Sequence, residues 1–215
     1  MSRNNITEIY IETLFKKRNL FIEEMEEYAE VNGIPIMEQT GIQLLLQFLE
    51  IHQPKRILEI GTAIGYSAIR MAEVVPHAKI VTVERDEDRA SRAKENILRS
   101  GHADRIILLE GDALNLKEMV AEHAPFDALF IDAAKGQYEK FFDFYEPLVL
   151  PGGLVISDNV LFKGMVSGEV IPGSKNVENL VKKLRNYNEL RMKDNRFSSM
   201  IYPVGDGVMI SVKRK

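Results

Sequence analysis

The stretch 56-RILEIGTAIGYSAIRMAEVVPHAKIVTVE-84 decides the fold. Arg56–Ile60 and Lys79–Glu84 are short runs with too many consecutive apolar residues for a half-exposed strand, so both read as strands buried on two faces. Between them lie a glycine loop and a helical stretch, Tyr66–Val74. The same unit recurs downstream. Strands are expected at Ile106–Glu110, Ala128–Asp132 and Leu154–Asp158, and helices at Asp86–Ser100 (closed by Gly101), Asn115–Glu122 and Gln137–Tyr145. Tyr138, Phe141, Phe142 and Tyr145 fall at i, i+3, i+4 and i+7 and make one apolar stripe. Strand–helix alternation of this kind predicts an α/β fold with a parallel sheet and right-handed crossovers.

The two ends differ from this repeat. Val177, Leu180, Val181 and Leu184 mark a helix, followed by Phe197–Tyr202, the turn Gly205-Asp206-Gly207 and Val208–Lys213, which together predict an antiparallel hairpin. Ahead of the sheet, Ile42, Leu45, Leu46 and Leu49 form a helical stripe that stops at Pro54. Ile6, Ile9, Tyr10 and Thr13, then Phe21, Ile22 and Met25, indicate one or two earlier helices, broken off by Gly33, Ile34 and Pro35. The reading is one domain over residues 1–215, of which 1–54 are a helical extension. The longest irregular stretch, Val160–Ser174, holds Gly164, Gly168 and Gly173 and reads as functional or mobile.

Composition narrows the function. The chain has 215 residues, 45% hydrophobic and 28% charged, which excludes a disordered or collagen-like chain. Its net charge of −4 argues against a surface that binds polyanions throughout, while leaving local basic patches open. With no cysteine there is no disulfide framework, thiolate metal site or cysteine nucleophile. Glu8, Glu12 and Lys16 interrupt the start, and no run approaches a membrane span, so a soluble cytoplasmic protein without membrane association is expected.

In an open parallel sheet, ligands bind outside the carboxyl ends of the strands. Here those ends carry Glu59 with Gly61, Glu84, Asp112 with Ala113, Asp132 with Lys135, and Asp158 with Asn159. One rim acid alone reads as a solvated carboxylate; acids at five strand ends do not. The glycine loop has Ala63 where a dinucleotide fold needs its second glycine for a pyrophosphate. Glu84 lies 23 residues past Gly61, suited to a ribose hydroxyl pair. The loop alone would serve equally as a tight turn. With Glu84 and Asp112 in register it suits a nucleoside without a diphosphate, as in S-adenosylmethionine: Glu84 for the ribose, Asp112 for the adenine amino group and Glu59 near the methionine ammonium.

Asp132, Asp158 and Asn159 make an all-oxygen ligand set from neighbouring strand ends, suited to Mg2+. Asp158-Asn159 taken alone would also cap a turn. Lys135 is by default a surface lysine; beside a metal it could help deprotonate a substrate hydroxyl. The four histidines, His52, His77, His102 and His123, fall on the opposite edge and receive no role.

LEIGTAIGYSA, VERD, GDA, FIDAAKGQY and ISDNVLFKG, in this order, resemble the metal-dependent class I O-methyltransferases, the group that includes catechol and caffeoyl-coenzyme A O-methyltransferases. The N-terminal ITEIYIETLF…GIPIMEQTGIQLL is most similar to the bacterial branch that methylates 5-hydroxyuridine at the tRNA wobble position. The resemblance implies a Rossmann-like class I methyltransferase fold, with a seven-stranded mostly parallel sheet, a C-terminal hairpin and N-terminal helices. It implies S-adenosylmethionine and Mg2+ as cofactors. By position it places the metal on Asp132, Asp158 and Asn159 and the lysine near the substrate hydroxyl on Lys135, with Asp132 and Lys135 as the catalytic pair. Its cofactor contacts fall on Met37, Glu59, Gly61, Ser67, Glu84, Asp112, Ala113 and Asp132. It also implies a homodimer built partly from the N-terminal helices. One departure stands out: animal catechol enzymes have His-Trp where this chain has Ala133-Ala134, so the aromatic wall for a small catechol is missing.

Both a catechol and 5-hydroxyuracil offer two adjacent oxygens. The N-terminal resemblance implies methylation of tRNA 5-hydroxyuridine to 5-methoxyuridine as the expected activity, with a small catechol or other vicinal-oxygen phenol as the alternative. The tRNA anticodon loop would be the partner, and its phosphates would need cations. Candidates are Lys16-Lys17-Arg18, Lys182-Lys183-Arg185, Arg191, Lys193, Arg196 and Lys213-Arg214-Lys215, each of which reads equally as a solvated face. A nicotinamide dehydrogenase is disfavoured by Ala63, and an inactive binding module by the complete metal set with Lys135.

Overall fold

Strand β1 (Arg56–Ile60) lies inside the sheet, paired in parallel with β2 (Lys79–Glu84) and β4 (Phe126–Ile131). The computed structural model describes residues 6–215, so the first five residues of the expected N-terminal extension lie outside the described residues. With β3 (Ile106–Glu110), β5 (Val149–Ser157), β6 (Phe197–Tyr202) and β7 (Val208–Lys213), the seven strands run in the order β3-β2-β1-β4-β5-β7-β6. The first five are parallel, and β7 is antiparallel to both β5 and β6. The α/β class, the mostly parallel sheet and the terminal hairpin are thus as the sequence predicts.

Helices cover both faces. Helix α3 (Gln39–His52) buries its whole stripe, Ile42, Leu45, Leu46 and Leu49, in one cluster with α2 (Leu20–Val31), α4 (Tyr66–Val74) and α5 (Glu87–Ser100). Asn19 caps α2 by accepting from the Ile22 amide at 2.9 Å, satisfying one of the donors a helix start leaves unpaired. On the other face, α7 (Tyr138–Tyr145) and α8 (Lys175–Lys193) pack together. Phe142 meets Tyr187 and Phe197 edge-on, and the Arg191 guanidinium lies 4.0 Å from its ring centroid.

The boundaries differ from the sequence reading in instructive places. β4 begins at Phe126 and ends at Ile131, which leaves Asp132 just beyond the strand. β5 extends back to Val149 through Pro151-Gly152-Gly153, ahead of the expected start at Leu154; a register shift between Phe126 and Ala128 absorbs the irregularity as a bulge would. Helix α6 is only Lys117–Ala121, and Lys135–Gln137 is a separate 3-10 turn ahead of α7. β3 is an edge strand with mostly half-buried residues, so doubly buried strands were over-predicted there. Helix α1 (Ile6–Thr13) buries none of its side chains. The irregular stretch after β5 is pinned: Arg185 donates to the carbonyls of Val166 at 2.8 Å and Met165 at 3.2 Å, and Asn188 donates to that of Val160 at 2.9 Å. No described helix is long and apolar enough to cross a membrane.

One contact joins the ends of β1 and β4. Gly61 has left-handed backbone (φ 103°), and a Cβ there would overlap the Asp132 carbonyl oxygen. Any side chain at 61 must push the glycine loop off the sheet end. Gly61→Ala is expected to cost about 1–3 kcal/mol or more of folding stability, as overpacked sites do. Urea unfolding checks this, and a midpoint equal to that of the wild type would refute the close approach.

Candidate active site

The cofactor half of the site is built by the loop after β1 and the end of β2. The amides of Gly61 and Thr62 both donate to the Val83 carbonyl, at 3.0 and 3.2 Å, which fixes the loop against β2. Glu84 completes the tie. Its Oε2 accepts from the Ala63 amide at 2.8 Å, and its Oε1 accepts from the amides of Arg85 and Asp86, each at 2.9 Å. A carboxylate offers about four acceptor positions, so about one remains, on Oε2. Glu84 is thereby fixed on the cavity wall with acceptor capacity left over for a ligand hydroxyl. Ala63 reaches Glu84 only because it too is left-handed (φ 46°), a position where sequence alone showed merely a missing glycine.

Glu59 stands behind the cavity wall. It is fully buried and does not line the cavity; Ser67 and Thr82 donate to its two oxygens, the latter at 2.5 Å. Burial pushes its carboxyl up to about 7, the two hydroxyls pull it down, and Asp132 and Glu84 push it further up. Its reach to a ligand runs through Ser67, which does line the cavity.

That cavity, about 280 Å³, brings together Met37, Gly61, Ser67, Glu84, Asp112, Ala113, Asp132, Lys135 and Asn159 from the sequence-derived set. Glu59 and Asp158 lie outside its wall. Tyr66, Arg85, Arg89 and Phe141 also line it and were not foreseen. Tyr66 gave no signal because its OH donates to Glu26 of α2 at 2.7 Å, a contact 40 residues distant in sequence. Asp112 uses Oδ1 to hold the Leu114 amide at 2.9 Å.

At the other end of the cavity, the parallel β4–β5 register pairs Ile131 with Ser157, so the next residues, Asp132 and Asp158, come abreast. Burial raises the Asp132 carboxyl to about 6, with Lys135 opposing. Asp158 is pushed well up by burial and then by Asp132; the Asn159 amide and Lys135 pull it down. Asn159, in left-handed backbone (φ 58°), turns its side chain back over the pair, with Nδ2 at 2.7 Å from Asp158 Oδ2 and 3.3 Å from Asp132 Oδ1. Turning that carboxamide over presents its oxygen to the same place, since amide orientation follows the surrounding partners. Two carboxylates and an amide oxygen fit a hard divalent cation, and the mutual repulsion of the pair is what such a cation relieves. Among the described residues no three His, Cys, Asp or Glu side chains form a metal cluster, so a cation here needs Asn159 as its third protein ligand.

The basic clusters are mostly engaged within the protein. Arg18 pairs with Glu26 at 2.9 Å, Lys182 with Glu178 at 2.9 Å, Lys193 with Glu189 at 3.3 Å, Arg196 with Asp194 at 2.7 Å, and Lys213 with Glu146 at 2.8 Å. Arg185 pins the irregular stretch and Arg191 is buried over Phe142. Arg214 donates to the Phe197 carbonyl at 3.3 Å, so among the described residues Lys16, Lys17, Lys183 and Lys215 are the exposed cations of those clusters without an internal ion pair or hydrogen bond. None of the four histidines lines the cavity.

The fold recurs in known proteins. Residues 14–214 match the family described as O-methyltransferase. A catechol O-methyltransferase of Niastella koreensis is 40% identical over 131 residues, 60% of this chain and 58% of that protein. The catechol O-methyltransferase of Mycobacterium tuberculosis is 35% identical over 142 residues, 66% of this chain and 64% of its own length. The chain thus spans about three fifths of the length of these relatives. Among solved structures, a candidate caffeoyl-CoA O-methyltransferase from Staphylococcus aureus superposes with a TM-score of 0.91 at 39% identity, covering 97% of this chain and 100% of its own. An O-methyltransferase from Bacillus cereus in complex with SAH gives 0.84 at 27% identity, covering 98% of each chain. A family match that runs through every strand and both halves of the site leaves one conclusion: the chain belongs to the O-methyltransferase family.

Proposed function

We propose that the protein transfers a methyl group from S-adenosylmethionine to one of two adjacent oxygens on a planar acceptor, with Mg2+ held by Asp132, Asp158 and Asn159. The observation that carries this reading is the Asp132–Asp158 pair, half-buried and buried in turn, with Asn159 folded over it and Lys135 beside it. This pair stands at one end of a cavity whose other end presents Glu84 and Asp112.

In this reading the open position on Glu84 takes a ribose hydroxyl, and the free oxygen of Asp112 takes the adenine amino group. Ser67, held by Glu59, faces the methionine end. Gly61 and Ala113 let the ligand approach the backbone, and Met37 closes the cavity from the N-terminal side. The sulfonium of S-adenosylmethionine supplies the electrophilic methyl group. When bound, the cation supplies Lewis acidity that lowers the pKa of an acceptor hydroxyl. Lys135 receives the hydroxyl proton or stabilises the oxyanion, and the fixed strand ends hold nucleophile and methyl in line, where most of the rate arises.

The acceptor we favour is 5-hydroxyuridine at the tRNA wobble position, giving 5-methoxyuridine. Its support is the N-terminal resemblance and the alanines at 133 and 134, both lining the cavity where a small catechol would want an aromatic wall. A base extruded from an anticodon loop needs few phosphate contacts, and Lys16, Lys17 and Lys183 are exposed for them. The second reading, a small catechol, is favoured by the names of the Niastella and Mycobacterium relatives and by the internal pairing of most basic clusters. A homodimer through α1 accounts for the exposure of Ile6 (84%) and Tyr10 (63%), side chains that no other described residue covers. The lack of cysteine fits the reducing cytoplasm, where we place the protein.

Label from S-adenosylmethionine, offered in parallel to tRNA carrying 5-hydroxyuridine and to a catechol, is expected in the tRNA and lost with EDTA. Asp158→Ala is expected to lower turnover at least about 1,000-fold, with cofactor affinity changed only a few-fold. Label in the catechol alone would remove the tRNA assignment, and turnover that survives EDTA would remove the metal.

A second expectation concerns pH. The Glu59 carboxyl is held at about 7, so it is mostly neutral below that pH and ionised above it. A cationic ammonium favours the ionised form, so cofactor binding should tighten as pH rises from 5.5 to 7.5, by about tenfold. Glu59→Gln should flatten this rise. A calorimetric titration at several pH values checks it, and an equal slope in the variant would exclude Glu59 as the charge the ammonium senses.

A further inference from the structure

Helix α7 runs behind the cavity and is bonded to both of its ends. Phe141 lines the cavity wall, and Tyr138 and Tyr145, at i and i+7 on one face of the helix, are almost fully buried. A phenol is protonated at neutral pH and donates, and each of these hydroxyls donates to one main-chain carbonyl of the site. That of Tyr138 donates to Asp158 at 2.9 Å, and that of Tyr145 donates to Ala113.

The two carbonyls belong to opposite ends of the site. Ala113 follows β3, in the loop that carries Asp112, and Asp158 follows β5. In the sheet, β3 and β5 are the outermost of the five parallel strands, with β2, β1 and β4 between them. Four strand spacings amount to about 19 Å. Two turns of α7 cover about 10 Å of that, and the two tyrosine side chains make up the rest. One helix therefore joins directly what the sheet joins only through three intervening strands. Its own anchorage is aromatic. Tyr138 meets Tyr187 edge-on with centroids 5.7 Å apart, and the Tyr187 hydroxyl pairs at 2.7 Å with Ser157, the residue before Asp158.

We propose that α7 is the strut that sets the separation of cofactor and cation, with Tyr138 and Tyr145 as its two positioning residues. This rests on the placement of the cation at Asp158 and of the cofactor against Ala113 proposed above. Methyl transfer depends on holding the two reacting groups in line at close range, where a small misplacement costs much of the rate. Ala113 and Asp158 are both buried, so removing either hydroxyl leaves a carbonyl there short of a partner and its loop less firmly placed.

Tyr138→Phe and Tyr145→Phe each remove one hydroxyl and keep the ring, and binding to the resting protein reads them out without turnover. Tyr138→Phe should weaken Mn2+ binding, followed by electron paramagnetic resonance, about fivefold while leaving the calorimetric affinity for S-adenosylhomocysteine unchanged. Tyr145→Phe should do the reverse, weakening S-adenosylhomocysteine about fivefold and leaving Mn2+ unchanged. A role confined to core packing would move both affinities in each variant, or neither. With both ligands saturating, relaxation of the S-adenosylhomocysteine protons by bound Mn2+ reports the distance between them. It should fall in the double variant Tyr138→Phe/Tyr145→Phe, because the two loops are no longer drawn to one helix. Wild-type relaxation in the double variant overturns the strut, as does a loss of either hydroxyl felt equally at both ends or at neither. A wild-type protein that binds S-adenosylhomocysteine but no Mn2+ overturns the metal reading and the strut with it. A wild-type protein that binds both, with variants that lack the crosswise pattern, overturns the strut alone.

Discussion

A half-buried carboxylate, Asp132, and a buried one, Asp158, forced side by side are the constraint on which the rest of this structure depends. The β4–β5 register leaves Asp132 and Asp158 no choice, because each follows directly on a residue paired across the two strands. Neighbouring like charges in a buried setting favour protonation, and both carboxyls are raised accordingly. Much of the local architecture offsets this. Lys135 supplies a positive charge within reach, the Asn159 amide donates to Asp158, and Tyr138 fixes the Asp158 carbonyl at 2.9 Å. These contacts reduce the repulsion without removing it, and the repulsion that remains is the ground for the proposal that the pair holds a cation.

The other half of the cavity follows a different logic. There the carboxylates are satisfied in advance: Glu84 holds three amides, Asp112 holds one, and Glu59 is closed off by two hydroxyls. Side chains locked in this way lose little freedom when a ligand arrives, which is how preorganisation favours binding. Gly61 links the halves, since the loop that shapes the nucleoside end packs on the backbone of Asp132. A disturbance at either end is therefore transmitted through backbone contact.

Much of this was legible in the sequence. Apolar runs of five or six residues gave β1, β2, β3 and the hairpin with their exact limits in the structure, and the stripes of α3 and α7 are buried as their periodicity requires. Strand ends carrying acids gave the rim of the site, because a parallel sheet puts those ends together whatever the loops do. What periodicity could not show was partnership. Arg185 and Arg191 look like surface cations in a helix, yet one ties down a loop and the other lies over a buried ring. Glu59 looks like a rim acid, but Ser67 and Thr82 enclose it. The length of β5 was hidden for a related reason: Pro151-Gly152-Gly153 has turn chemistry, and only the neighbouring strand shows that the ladder runs on through a register shift.

Divalent-cation binding by the resting protein tests the central claim most directly. Titration with Mn2+, read by electron paramagnetic resonance, should give one bound ion per chain near neutral pH. Affinity should fall as pH drops through about 6, where Asp132 takes up a proton and ceases to be a ligand. Asp158→Asn, close to the wild type in size, should abolish that site. A wild-type protein that binds no ion, or a variant that binds one equally well, would contradict the claim that this carboxylate pair is built for a metal.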